Sequence, residues 1–304
     1  MSNSSSAQAV RPSTPITHFS GGYGYGILAV LIFSLTLPMT RVAVAEMDPL
    51  LISLGRAWVA AIPAALILWL GRCRRPTASE WRGLALAATG VVFAWPICST
   101  IAMQTVPAAH GAVVNGLLPL TTALFGAWLN HERLPRSFWF WAGAGAIVVT
   151  GFALYAGHGA LQAGDLWLVA AVILGGMGYA EGGRIACTLG GARTICWCLV
   201  GSLPFVTVPT FYLTAQVTQW PSAPALGAFA YLTFGSMLVA FFAWYKGMAL
   251  GGIARIGQIQ LIQPFLTVLA SAWLFGEYVT WPTYLFALIV IAIIAASRYA
   301  GRRG

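Results

Sequence analysis

Asn115, Leu118, Pro119 and Thr122 recur at three- and four-residue spacing inside an apolar stretch, and 145 residues later Gln260, Gln263, Pro264 and Thr267 repeat the pattern. Such spacing puts each set on one face of a helix. A proline inside a helix removes a backbone donor and frees the carbonyl four residues earlier, here that of Asn115 and that of Gln260. Each copy therefore brings a kink, a free carbonyl and a side-chain amide to one spot. Polar backbone at membrane depth is tolerated only against protein or a watery cavity, so the two sets outline a path for a polar solute, with Pro119 and Pro264 as hinges. The plainer reading is an amide bonded to a neighbouring helix and a proline that shapes packing. It covers either copy alone but gives no reason for the doubling.

Other residues bear on the same path. Trp95 lies near the middle of its apolar stretch and Trp244-Tyr245 in a second aromatic cluster; Ser99 and Trp244 are mates at the 145-residue offset. A ring at that depth stacks on an apolar or aromatic solute, or fills a core. Arg41 and Arg56 stand inside apolar stretches, where ionisable groups are costly and functional by default. Each has two readings, outward snorkelling or capture of a substrate carboxylate by the guanidinium fork. Glu181 precedes Arg184 by three residues, which favours a local ion pair; proton relay is the sharper alternative. Of the five cysteines, Cys196-x-Cys198 has the look of a metal clip but lacks a second ligand pair. No metal site and no cofactor are expected.

The elements that must hold these residues are membrane helices. The 304 residues are 59% hydrophobic and 8% charged, against about 25% charged in a soluble domain. Ten apolar spans of the required ~20 residues are read at 23–44, 48–70, 82–103, 107–129, 138–157, 164–187, 194–214, 223–246, 253–275 and 281–299. Pro119 and Pro264, Trp128 and Trp273, and Glu132 and Glu277 also pair at the same offset. Two copies of a five-span unit result, and an odd-numbered unit followed by its copy must insert the copy upside down, with the substrate site at the repeat interface. The fold expected is an all-α polytopic membrane protein, its units at 21–158 and 159–304, around a central cavity.

The formal net charge of +9 is a topological signal rather than a nucleic-acid one. Arg72, Arg74, Arg75, Arg82, Arg133, Arg136, Arg184, Arg193, Lys246, Arg255, Arg298, Arg302 and Arg303 fall at alternate loops or tails, while Glu46, Asp48, Asp165 and Glu277 occupy the opposite loops. Basic residues mark the cytoplasmic side, which places both termini inside a bacterial inner (plasma) membrane. Residues 1–20, rich in Ser, Thr and Pro, read as a disordered cytoplasmic tail without the features of a signal peptide.

The stretch Ser34 to Leu68, SLTLPMTRVAVAEMDPLLISLGRAWVAAIPAALIL, resembles the opening of an EamA-type repeat, with Arg41, Asp48-Pro49 and Arg56. Ala108 to Gly151, with Pro119-Leu120 and Asn130-His131-Glu132-Arg133, resembles its close, as does Gln263-Pro264 through Gly276-Glu277. The resemblance covers nearly all of 24–300. It is to the ten-helix exporters of the drug/metabolite transporter superfamily, most closely the YddG-type exporters of aromatic and other amino acids. The chain departs from the pattern at His131, where glycine is common, and has Leu199 where the first copy has Arg56.

The resemblance implies a cavity lined by spans 3, 4, 8 and 9, with help from 1 and 6, that moves metabolites outward by alternating access. Secondary export of amino acids or similar small metabolites is the function expected, by a functional monomer whose partners are a small-molecule substrate and membrane lipid. Efflux of lipophilic cations would ask for a central carboxylate, and spans 1, 3, 4, 8 and 9 offer none there. A membrane-embedded enzyme would need a nucleophile and base or metal ligands at depth, yet His18, His110, His131 and His158 fall in the tail or at helix ends. No phosphate-cradling glycine loop supplies ATP drive.

Overall fold

The computed structural model describes residues 19–129, 136–156, 162–257, 259–276 and 280–300. Residues 1–18 of the expected tail, including His18, the stretch from His131 to Arg133, His158, Glu277, Arg302 and Arg303 lie outside them, while Phe19 and Ser20, expected to belong to the tail, begin α1. The described residues are helical, without a β-strand. In chain order they form α1 (Phe19–Ser34), α2 (Thr36–Val44), α3 (Pro49–Leu70), α4 (Ala78–Ala88), α5 (Trp95–Ala102), α6 (Ala108–Asn115), α7 (Leu118–Leu129) and α8 (Arg136–Ala156). Then come α9 (Ala163–Leu189), α10 (Gly191–Ala215), α11 (Ala223–Ala230), α12 (Phe241–Gly251), α13 (Ile253–Ile256), α14 (Gln263–Phe275) and α15 (Trp281–Ala300).

Seven stretches are long and apolar enough to cross a bilayer: Gly22–Val44, Pro49–Leu70, Ala78–Ala102, Ala108–Leu129, Ala163–Leu189, Gly191–Ala215 and Ala223–Gly251. Shorter apolar helices run over Ile259–Phe275 and Trp281–Ile293, and α8 occupies the stretch expected at 138–157. The protein is a multi-pass membrane protein. Its helix starts follow local chemistry. Asp48 caps α3, accepting from the Leu50 and Leu51 amides at 2.8 and 3.0 Å, with Pro49 in the first turn where its missing N–H costs nothing. Thr77 and Glu80 form a reciprocal capping box at α4.

Two features depart from plain α-helical spans. The expected proline kinks are full breaks: α6 ends at Asn115, Gly116 and Leu117 turn, and Pro119 sits in the first turn of α7. In the second copy a turn at Gly257 and a 3-10 turn over Ile259–Ile262 precede Pro264 in the first turn of α14. Pro restarts a helix more cheaply than it interrupts one. The other departure is two π-helical stretches, Thr89–Ala94 between α4 and α5, and Tyr231–Ala240 between α11 and α12.

Packing alternates between the two halves of the chain. Helices α1 and α2 run antiparallel to α11 and α12. Glu46 meets Ser222, Thr36 meets Ser236 at 2.9 Å, and Lys246 lies over the Tyr25 ring at 4.3 Å. Helix α9 runs antiparallel to α4, the first π stretch and α5, from Gly164 beside Val106 to Glu181 beside Gly83. That crossing depends on Gly90, since a Cβ there would lie 2.4 Å from the Leu174 carbonyl oxygen and 2.7 Å from the Gly178 Cα. Helix α3 packs on α10, α8 on α15, and α6 on α14. The last pair is also antiparallel: Ala112 clusters with Val268, and a Cβ on Gly116 would lie 3.3 Å from Pro264 Cγ.

Candidate functional site

The two broken helices meet beside a chamber at the centre of the bundle. Its walls come from both halves of the chain: Thr36, Arg56 and Trp95 from one, Tyr179, Ser236 and Gln263 from the other, with Phe33 and Phe241 between them. The free volume is about 10 Å³, room for about one water. Phe33 meets Phe241 edge-on with centroids 5.1 Å apart, and Tyr179 lies 5.7 Å from Phe241 and 5.6 Å from Trp244. Edge-to-face contacts of this kind fix ring orientation, giving the chamber a rigid aromatic wall.

Among the described residues, Arg56 is the one charged side chain lining it. The residue is 2% exposed, its guanidinium stands 6.0 Å from the Trp95 ring centroid, and its buried Nε has no hydrogen-bond partner. Arg56 is buried against the chamber rather than snorkelling outward. The position follows from the helix: Arg56 lies two turns into α3, on the face that packs toward α5 and the second π stretch.

The other residues picked from the sequence divide by location. Trp95 and Gln263 reach the chamber. Trp95 Nε1 donates to Asn115 Oδ1 at 3.3 Å, which spends the amide oxygen of Asn115. Gln263 Oε1 has no partner, and Gln260, 1% exposed on the 3-10 turn leading to it, has none on either amide atom. Trp244 is fully buried against Phe33 and Tyr179, its Nε1 unpartnered. Buried polar atoms without partners each cost about 1–3 kcal/mol. Five of the seven such atoms among the described residues lie on Arg56, Trp244, Gln260 and Gln263, the other two on Trp197 and Thr210. Pro119 and Pro264 are buried at the two helix restarts.

Ser99, Tyr245, Arg41 and Glu181 lie elsewhere. Ser99 donates to the Pro96 carbonyl of its own helix at 3.2 Å, and Tyr245 donates to the Gly178 carbonyl at 3.3 Å, tying α12 to α9. Arg41 donates to the Met103 carbonyl at the end of α5. Glu181 accepts from Arg184 at 2.6 and 2.8 Å, the local pair expected from their spacing. Outside the spans, the Ser222 hydroxyl and amide donate to Glu46 at 2.6 and 2.7 Å and hold its carboxyl below the ordinary value.

Sequence reasoning missed Tyr179, Phe33 and the Thr36–Ser236 pair. Tyr179 carried a signal, an aromatic ring set among the small residues Gly175, Gly176, Gly178, Gly182 and Gly183; single hydroxyls in apolar helices carry none. A larger apolar groove of about 460 Å³ opens between α4 and α10, lined by Trp81, Phe93, Trp197 and Phe205. Among the described residues no three His, Cys, Asp or Glu side chains stand where they could hold a metal ion.

Against known proteins, the model of the EamA-like transporter family matches twice, over residues 20–155 and 162–298. The Uncharacterized transporter YdeK of Bacillus subtilis is 39% identical over 279 residues, covering 92% of this chain and 97% of that protein. A protein of Streptantibioticus cattleyicolor described as a probable terminal-alkyne amino-acid exporter is 23% identical over 257 residues, 83% of this chain and 84% of its own length. A solved crystal structure superposes with a TM-score of 0.66 at 18% identity, covering 93% of this chain and 98% of that one. At that identity the likeness concerns fold.

Proposed function

The chain belongs to the EamA-like transporter family, and from that premise we propose that it exports neutral amino acids, aromatic ones included, through the central chamber by alternating access. Ten spans form two five-helix repeats, 21–158 and 159–304, inserted in opposite directions, with both termini in the cytoplasm of a bacterial cell bounded by this inner membrane. One monomer makes one pathway. The doubled family match supports the repeats, as do the antiparallel pairs and the way partners exchange: α1 packs on α12 as α9 packs on α5, and α3 packs directly on its mate α10.

The observation that carries the substrate reading is the unpaired, buried Arg56 facing Trp95 beside the orphaned oxygen of Gln263. A guanidinium without a partner in a low-dielectric interior is costly, and a substrate carboxylate offers the bidentate geometry that relieves it. The rings of Phe33, Tyr179 and Phe241 then receive an apolar or aromatic side chain. The amino-acid exporter among the distant relatives makes the same substrates the first to test. A lipophilic cation would meet Arg56 as a like charge, which disfavours the multidrug alternative.

Efflux of labelled amino acids from preloaded proteoliposomes tests the proposal. Replacing Gln260 with Leu removes two buried amide atoms of the path and lowers export about tenfold, from roughly 1–2 kcal/mol of lost polar interaction, while membrane abundance holds. Unchanged export in Gln260→Leu rejects that residue's role. No amino-acid efflux from the parent protein rejects the function.

A further inference from the structure

The sequence has seven acidic residues, and removing Glu132 and Glu277, which are outside the described residues, leaves five. All five are engaged away from the chamber. Glu46 accepts from Ser222, Asp48 from the amides of Leu50 and Leu51, and Glu80 from Arg74. Asp165 is paired with His110 and Glu181 with Arg184. Arg56 therefore has no counter-charge among the described residues, and the chamber itself carries a formal +1.

That imbalance treats the two ends of an amino acid differently. A carboxylate meets a full opposite charge. An ammonium meets only neutral groups: the Gln263 oxygen, the Thr36 and Ser236 hydroxyls, already bonded to each other at 2.9 Å, and aromatic faces. With a zwitterion bound, the chamber stays at +1. With a monocarboxylate lacking the ammonium, it becomes neutral, the state a low-dielectric interior favours.

Building on the export reading above, we propose that the chamber is a monocarboxylate site in which the amino group is tolerated but not required, so that 2-hydroxy and N-acylated analogues of its amino acids are exported too, with the membrane potential as their driving force. The field across the membrane acts on whatever charge the chamber holds when access switches sides. For a zwitterion the loaded and empty chambers carry the same charge, and the cycle is electroneutral. For a monoanion the loaded chamber is neutral and the empty one returns inward as +1, so each cycle exports one negative charge. An inside-negative potential then accumulates the anion outside by about 50-fold per 100 mV.

The test uses the full-length protein in liposomes, with L-phenylalanine or 3-phenyllactate at equal concentration on both sides and a potassium–valinomycin potential of about −100 mV inside. Potassium leaving through valinomycin balances the exported charge, and the final ratio does not depend on insertion direction. Labelled L-phenylalanine exchanges across the membrane yet stays equal on both sides, whereas 3-phenyllactate ends about 50-fold more concentrated outside, relative to protein-free liposomes. Arg56→Lys keeps rapid initial efflux of 3-phenyllactate, whereas Arg56→Gln lowers that initial rate at least tenfold. Exchange of L-phenylalanine without transport of 3-phenyllactate overturns the inference while leaving amino-acid export intact. Transport of 3-phenyllactate with no voltage response overturns it as well, as does an undiminished initial rate of 3-phenyllactate efflux in Arg56→Gln. Transport of neither compound overturns the export reading on which it rests.

Discussion

Export of L-phenylalanine by the Arg56→Gln variant falls by roughly 10- to 100-fold, while the thermal midpoint of the purified protein stays level or rises. The first effect reflects a charge-assisted hydrogen bond to substrate, worth about 1.5–3 kcal/mol. The second follows because Arg56 is 2% exposed with an unpartnered Nε, and removing an uncompensated buried charge relieves a desolvation cost. The opposite signs separate a substrate-binding arginine from a structural one, whose loss would lower stability and transport together. Initial efflux rates and melting in detergent measure both quantities. Undiminished export, or a marked fall in the midpoint, would remove Arg56 from the binding site.

His110→Leu destabilises the protein by about 1–3 kcal/mol, the typical cost of leaving a buried acceptor without its donor. His110 Nε2 and Asp165 Oδ1 are 2.6 Å apart, with side chains only 6% and 4% exposed, and Phe152 covers the imidazole at a centroid distance of 4.9 Å. Asp165 also accepts from the Gln162 amide at 2.8 Å, which does not compensate a full charge. The pair joins α6 to α9 and so fixes the half-helix that ends in Asn115. Asp165→Asn in the His110→Leu background restores most of the loss, because no carboxylate is then stranded. Denaturant midpoints for the two single variants and the double variant check this; a double variant no more stable than His110→Leu rejects the pair as the cause.

Much of this arrangement could be read from the residues alone, and the misses have physical reasons. Seven of the apolar stretches set their helices to within a few residues, because length and hydropathy act locally. The proline-amide doubling found Gln263 and Gln260, yet treated Asn115 as their equal. In the fold Asn115 is committed to Trp95, and at the same offset Trp95 falls opposite Ala240, which has no donor to offer Gln260. A difference between mates thus depends on a third residue.

Arg56 could not be decided in advance, since depth along α3 says nothing of which neighbours surround it. Arg41, equally apolar in its surroundings, turns to the end of α5 instead. The His110–Asp165 contact joins residues 55 apart that sit near helix ends, where solvated side chains are the ordinary case. The π stretches have no residue-type signature at all; they arise where α4 to α5 and α11 to α12 must curve past α9 and α1.

Those wide turns bear on how the chain tolerates changes in its length. A π turn houses one residue more than an ordinary α turn, so each of the two stretches holds slack that a regular helix lacks. Excising a single amino acid from Thr89–Ala94 or Tyr231–Ala240 can be absorbed by tightening to α geometry, with the flanking caps and glycine crossings left in register. The same excision in α9, which has no such reserve, would rotate everything beyond it by about 100° and swing Tyr179 out of the aromatic wall. The two points of tolerance fall one in each half of the molecule.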